Sequence, residues 1–263
     1  MNITFFKYHL NGNDFLIFDK IFFPDFELTE EKIKKICNRN FGVGADGILI
    51  LEISENGIFK FNIYNPDGSY ANFCGNGALC FLKYLKDKRY FVSSIRFLAG
   101  DGIHYGNYIG NDKFSVSFSD IDLKKIKKFN NLGYIVDVGT LHLVLPVINV
   151  LSIDCNEKGK EYNHLYGKPI NVTFFESTTE DSIKKVTYEK GVEKVTMSCG
   201  TGAVASTIIF LYQKPQNDYE ILVNTLGGPL VVKVTKNNSL FKNIHLIGEP
   251  KFIFEGKLDF NYL

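Results

Sequence analysis

Two observations place this chain in the α/β class, as two similar domains. The first is a succession of short alternating or apolar runs bounded by Gly, Asn and Asp, the pattern of strands, broken at intervals by helical patterns. The second is that this plan occurs twice. Cys74-Gly75-Asn76-Gly77-Ala78 and Cys199-Gly200-Thr201-Gly202-Ala203 each set a cysteine and a Gly-polar-Gly turn before a mostly apolar run of helical length. These cysteines lie about 125 residues apart, and pairing the other elements in order gives an offset of roughly 123 to 129, the mark of internal duplication. Each half is expected to be a curved mixed sheet wrapped around a central helix, with the site in the interdomain cleft.

In the first half, strands are expected near 3–8, 14–19, 46–52, 58–64, 94–98, 102–108 and 113–118. A helix fits Thr29 to Asn38: Thr29 can cap, Glu30 and Glu31 suit the first turn, and Ile33, Ile36 and Cys37 share a face. The second helix follows Cys74. In the second half, strands fit 133–138, 141–147, 170–176, 183–188, 219–223, 229–235 and 242–248, with a helix around 155–166 and another after Cys199. The run Ala203–Tyr212 has scarcely a polar face before Pro215 stops it, so it is expected to be enclosed by sheet. The Lys- and Asn-rich stretch Leu123–Asn131 reads as the linker, which places the domains at 1–122 and 132–263.

At 263 residues the chain can bury a substantial core without staples. A formal net charge of +1 removes the electrostatic case for nucleic acid or an anionic membrane surface as partner. No apolar run approaches the ~20 residues of a membrane span, and no basic leader with an apolar signal region opens the chain. Five thinly spread cysteines argue against a secreted disulfide framework, so a soluble, cytoplasmic protein is expected.

A cysteine at a strand-to-helix turn faces backbone N–H groups and the positive end of the helix dipole, which favour a thiolate and bind anions. Four readings of Cys74 and Cys199 compete. A disulfide is a poor resting state in the cytoplasm. A zinc site would want further ligands at tight spacing, and none accompanies either cysteine. Core packing accounts for Cys37, Cys80 and Cys155 but not for the duplicated turns. A catalytic pair accounts for them. The N–H groups of Gly75, Asn76, Gly200 and Thr201 can clamp one carboxylate, leaving a thiol on each face of the adjoining carbon. One side removes a proton and the other delivers one, an inversion that requires no cofactor and no metal.

These motifs, with Gly12-Asn13-Asp14-Phe15, Gly42-Val43-Gly44-Ala45-Asp46-Gly47, Asn65-Pro66-Asp67-Gly68-Ser69 and Tyr188-Glu189-Lys190-Gly191, resemble the diaminopimelate epimerase family over essentially the whole chain. The resemblance implies that Cys74 and Cys199 are the base–acid pair. It also implies that Asn13, Asn65 and Asn171 contact substrate and that Glu189 lies near its amino group. A small amino-acid substrate follows, with LL- and meso-diaminopimelate the family's own. Dimers are common in such folds, which leaves a homodimer open. An isolated Asn is ordinarily a turn or cap residue, and only its motif raises Asn65 above that.

Several positions depart from the family pattern. Thr140 stands in Gly139-Thr140-Leu141-His142 where the family has Gly-Asn-Pro-His, and Lys190 stands where it has arginine. Lys190 keeps a positive charge without the bidentate fork, and it is expected to hold the far carboxylate of the substrate. The segment between Glu189 and Cys199 is one residue longer than usual, Leu79 replaces an arginine and Leu226 a proline. His142 is read as structural. A racemase for a different amino acid, or a non-catalytic amino-acid-binding relative, remains open beside the epimerase.

Overall fold

The structure, a computed structural model, describes residues 2–259. It divides into two compact units, residues 2–116 with 249–259, and residues 117–248. The expected α/β architecture is present in each.

In the first unit the strands lie side by side in the order 251–259, 2–10, 13–19, 47–53, 59–64, 94–99, 102–110 and 113–117, with the short 70–71 strand also beside 59–64. In the second unit the order is 127–129, 133–137, 141–146, 171–177, 182–189, 217–225, 228–236 and 240–248, with 194–195 beside 182–189 and 121–122 closing the far edge. Both orders alternate in the same way. Two antiparallel pairings are followed by parallel, antiparallel and parallel ones, then by antiparallel hairpins.

Each parallel pairing needs a crossover, and helices supply all four. In the first unit α1 (Glu30–Cys37) and α2 (Gly75–Asp87) do so, and in the second α3 (Cys155–Tyr166) and α4 (Gly200–Leu211). Thr29 caps α1 by accepting from Lys32 N–H, as expected. Asp154 caps α3, and Gly167 closes it in the left-handed region at φ 82°, where glycine meets no Cβ penalty. These two helices are amphipathic and cover one face of their sheets: Ile33, Ile36 and Cys37 pack with Phe18, Ile48 and Ile50, and Cys155 and Tyr162 with Leu143, Phe174 and Tyr188.

The other two helices are buried nearly all round. Residues 75–82 of α2 are buried, and in α4 only Phe210 is not. Strands of their own unit surround both, and α2 presses Phe81 against Phe61 and Phe97. Each such side chain contributes roughly 1.5–3 kcal/mol of burial, so the helices are pinned from several sides. At the C-terminus of α4 the buried Lys236 ammonium donates to the carbonyls of Leu211, Tyr212 and Lys214, satisfying groups the helix leaves open.

The domain limits differ from those expected. Residues 249–259 belong to the first unit because the strand 251–259 pairs antiparallel with the N-terminal strand, from Asn2 opposite Asp259 to His9 opposite Lys251. In the second unit the equivalent place is taken by 127–129, inside the stretch expected to be a linker. Strand pairing, which satisfies backbone groups at both edges, decides the division.

Candidate active site

Cys74 and Cys199 are the N-cap residues of α2 and α4. Both are extended, with φ −141° and −130°, and each sulfur accepts from the N–H three residues on, Gly77 or Gly202, at 3.4 Å. Oxygen-bearing residues are the favoured N-caps, and sulfur is a weak acceptor. α1 and α3 follow that rule, and the two buried helices break it together. Gly75 with Asn76, and Gly200 with Thr201, head the helices, where backbone N–H groups point out along the axis toward an anion. The other described cysteines behave as filler. Burial pushes Cys37 up to about 12 and Cys155 up to about 11, and it raises Cys80 well above the usual thiol range.

The first unit brings two of the expected residues, Asn13 and Asn76, into one cluster. Asn76 Nδ2 donates to Asn13 Oδ1 at 3.1 Å, so the polar residue of the turn after Cys74 is tied to the start of the strand 13–19. Asn13 Nδ2 in turn donates to Asp46 at 3.1 Å. Beneath it Asp14 pairs with Lys7 at 2.8 Å and with Arg39 at 2.6 Å, and Arg39 also reaches Asp46 at 2.7 Å. Burial works against the Asp14 carboxylate, yet the hydrogen bonds from Arg39 and Lys7 hold its pKa below the ordinary value. Asn65 opens a turn, its N–H bonded to Ser69 O at 2.9 Å and its amide to Ser69 Oγ at 3.0 Å. That is the ordinary role of such an Asn.

The second unit holds Cys199 in a polar setting. Thr201 Oγ1 lies 3.4 Å from the sulfur and 3.0 Å from His142 Nε2, while Lys185 Nζ donates to the Cys199 carbonyl at 2.8 Å. The thiol is buried and its pKa is pushed up to about 11, first by burial and then by the charge of Glu189; Lys185, Thr201 and the Gly202 N–H oppose this. The expectation that a helix N-terminus favours the thiolate therefore holds for the geometry but not for the resting charge of Cys199. Desolvation outweighs the donors, and the free Cys199 carries its proton.

Glu189 ends the strand 182–189 and accepts from Thr196 Oγ1. Asn171 is buried, with Nδ2 donating to Leu141 O at 3.4 Å and Oδ1 accepting from Lys190 N–H at 3.0 Å. Thr140 lies half-buried just before the strand 141–146, its carbonyl accepting from Val138 N–H at 3.2 Å. Lys190 has an exposed side chain, so its expected carboxylate contact would be solvated rather than enclosed.

His142, read as structural, is fully buried with both ring nitrogens bonded and its pKa lowered to about 3 by burial and then by the charge of Lys185, so it is a neutral partner of Thr173 and Thr201. Sequence reasoning missed Lys185. Period-two alternation in the strand sets residues 183, 185 and 187 on one face, and all three are buried.

The fold is shared with solved structures of low sequence identity. One is a phenazine biosynthesis protein of the PhzF family from Bacillus anthracis, with TM-score 0.72 and 16% identity over 98% of this chain and 99% of that one. Another is a probable proline racemase from Agrobacterium radiobacter, with TM-score 0.70 and 12% identity over 98% and 93%. These likenesses show a fold common to the three proteins. The diaminopimelate epimerase family model matches residues 5–104 and 134–253. Diaminopimelate epimerases from Flavobacterium psychrophilum and Methanocella arvoryzae are 34% and 33% identical to the chain, over 95% and 99% of it and 98% of each relative. The chain belongs to the diaminopimelate epimerase family.

Proposed function

We propose that the chain interconverts LL- and meso-diaminopimelate by two-thiol acid–base catalysis, without a cofactor, in the cytoplasm, on the route to lysine. The observation that carries this is the pair of cysteine N-caps on duplicated, enclosed helices; the activity of the similar full-length relatives supports the choice of substrate.

In this reaction a thiolate takes the α-proton, and the bonding pair of the Cα–H bond passes onto the carbon and its carboxylate. Helix N-terminal N–H groups stabilise that charge. The opposite thiol then gives its proton to the other face of the carbon, becomes the thiolate, and the configuration is inverted. Forward and reverse turnovers use the two cysteines in exchanged roles. The protonated Cys199 is the acid of the free enzyme, and the half-buried Cys74 opposite it in role is the base.

A racemase acting on another amino acid is the second reading, and one observation favours it: Lys190 is exposed and Asn171 is engaged by backbone, which thins recognition at the far end of a dicarboxylic substrate. Deuterium incorporation at Cα across LL-diaminopimelate, lysine, ornithine, glutamate and histidine separates the two. Diaminopimelate should exchange fastest; faster exchange into a monocarboxylic amino acid would assign the chain to the second reading.

A further inference from the structure

Beneath the start of α4 runs a closed loop of polar contacts that leaves the Cys199 carbonyl and returns to its sulfur. Lys185 Nζ donates to Cys199 O at 2.8 Å and to Thr187 Oγ1 at 3.1 Å. Thr187 Oγ1 is 3.1 Å from Thr173 Oγ1, which is 3.0 Å from His142 Nδ1. His142 Nε2 is 3.0 Å from Thr201 Oγ1, and Thr201 Oγ1 is 3.4 Å from Cys199 Sγ. All but the threonine at the helix head are at most 6% exposed.

With Cys199 as the thiolate the sulfur can only accept, and that sets the direction of every proton in the loop. Thr201 spends its one proton on the sulfur and so accepts from His142 Nε2–H. The neutral ring then accepts at Nδ1 from Thr173, whose own oxygen accepts from Thr187. Thr187 in turn accepts from Lys185, whose ammonium has donors only.

We propose that Lys185 is a positioning residue for Cys199: it anchors the donor end of this loop, whose last hydroxyl points at the sulfur once the thiolate forms, and its charge balances that thiolate when Cys199 acts as the base. The proposal rests on the two-thiol reading. The charged or titratable groups acting on the pair are Glu189 on the same strand, His142 on the neighbouring strand, and Cys199 itself. Glu189 opposes the thiolate, and His142 is held neutral, so Lys185 is the cation left to balance it. Burial lowers the Lys185 pKa and the charges of Cys199 and Glu189 raise it, the mutual dependence of a buried pair.

The test is the pH profile of iodoacetamide labelling at Cys199, followed by peptide mass spectrometry in the full chain without substrate, with Cys74 as internal control. Lys185→Gln keeps a donor for the carbonyl but removes the charge, and Lys185→Met removes both. Either should raise the Cys199 midpoint by about one pH unit or more, about 10-fold slower labelling at a fixed pH, with the Cys74 profile unmoved. Thr187→Val cuts the loop and leaves the lysine; it should raise the midpoint less than Lys185→Gln does. If Lys185→Met fails to fold, the other two variants decide. An unmoved Cys199 midpoint in folded Lys185→Gln overturns the proposal, and an unmoved one in Thr187→Val overturns the loop as its route. None of these readouts depends on turnover, so they stand or fall separately from the activity assay.

Discussion

At the third residue of α2 a methyl group added to Gly77 would meet Ile63 and Leu49 at 3.3 Å and Phe61 at 3.4 Å, an apolar floor of yielding side chains. At the same place in α4 a methyl on Gly202 would meet Thr187 Oγ1 at 2.6 Å, and Lys185 Nζ and Thr173 Oγ1 at 3.2 Å. One duplicated device therefore stands on two different floors. A thiol above hydrocarbon can be a base only where water or substrate reaches it, and Cys74 is half-buried accordingly. A thiol above a lysine and two hydroxyls can be buried and still carry charge when required, and Cys199 is buried. On the proposed two-thiol mechanism, duplication supplies the symmetry that inversion needs, and the different floors tune each thiol on its own.

The comparison breaks most simply at the sulfurs. Cys74→Ser or Cys199→Ser should each lower the rate of inversion by about 100-fold or more, because a hydroxyl is too weak an acid and base for either role. Serine is the better N-cap, so the melting temperature of both variants should match or exceed that of the parent. A variant that keeps its rate, or loses it only by unfolding, would remove that cysteine from the mechanism.

The next effect concerns reactivity. With its pKa near 11, Cys199 should be alkylated at pH 8 at least about 100-fold more slowly than an ordinary free thiol, while Cys74 should react first. Peptide-resolved labelling measures both at once. Equal rates at the two cysteines would erase the asymmetry drawn here.

The floors can be tested without touching a thiol. Gly202→Ala should destabilise the protein by about 1–3 kcal/mol in urea unfolding, since its methyl group meets fixed hydroxyls and an ammonium already engaged in hydrogen bonds. Gly77→Ala, with room that methyl groups can yield and a better helix former in place, should stay within about 1 kcal/mol of the parent. The reverse order would mean that the polar floor is the softer of the two. The smallest effect belongs to Lys190. Its exposure reduces an expected carboxylate anchor to a solvated ion pair, so Lys190→Ala should lower kcat/KM for diaminopimelate roughly 5-fold at most, with kcat held. A larger loss would mean that the side chain becomes enclosed with substrate.

Much of this was legible beforehand, for physical reasons that differ by element. Strand alternation and the two cysteine turns are local patterns, and both survive folding. The strand 127–129 reads Lys-Lys-Phe, too short to alternate, so it was taken for linker. The strand 251–259 pairs with the other end of the chain, a partner that no local pattern names. Lys185 follows another lysine and so resembles solvated surface, although its alternate neighbours Ile183 and Thr187 face inward. The resting charge of Cys199 was the harder quantity. It depends on burial against Glu189, Lys185 and Thr201 together, and only three dimensions bring those side and backbone groups to one sulfur.

The most direct test of the two-thiol account follows LL-diaminopimelate in deuterium oxide at early conversion. Opposed acid and base, each exchanging with solvent between turnovers, should place deuterium at the inverted carbon of the meso product while the unreacted LL isomer stays free of it. Deuterium appearing in recovered LL isomer as fast as in product, or product that keeps its original hydrogen, would show that a single group carries the proton and would contradict the account.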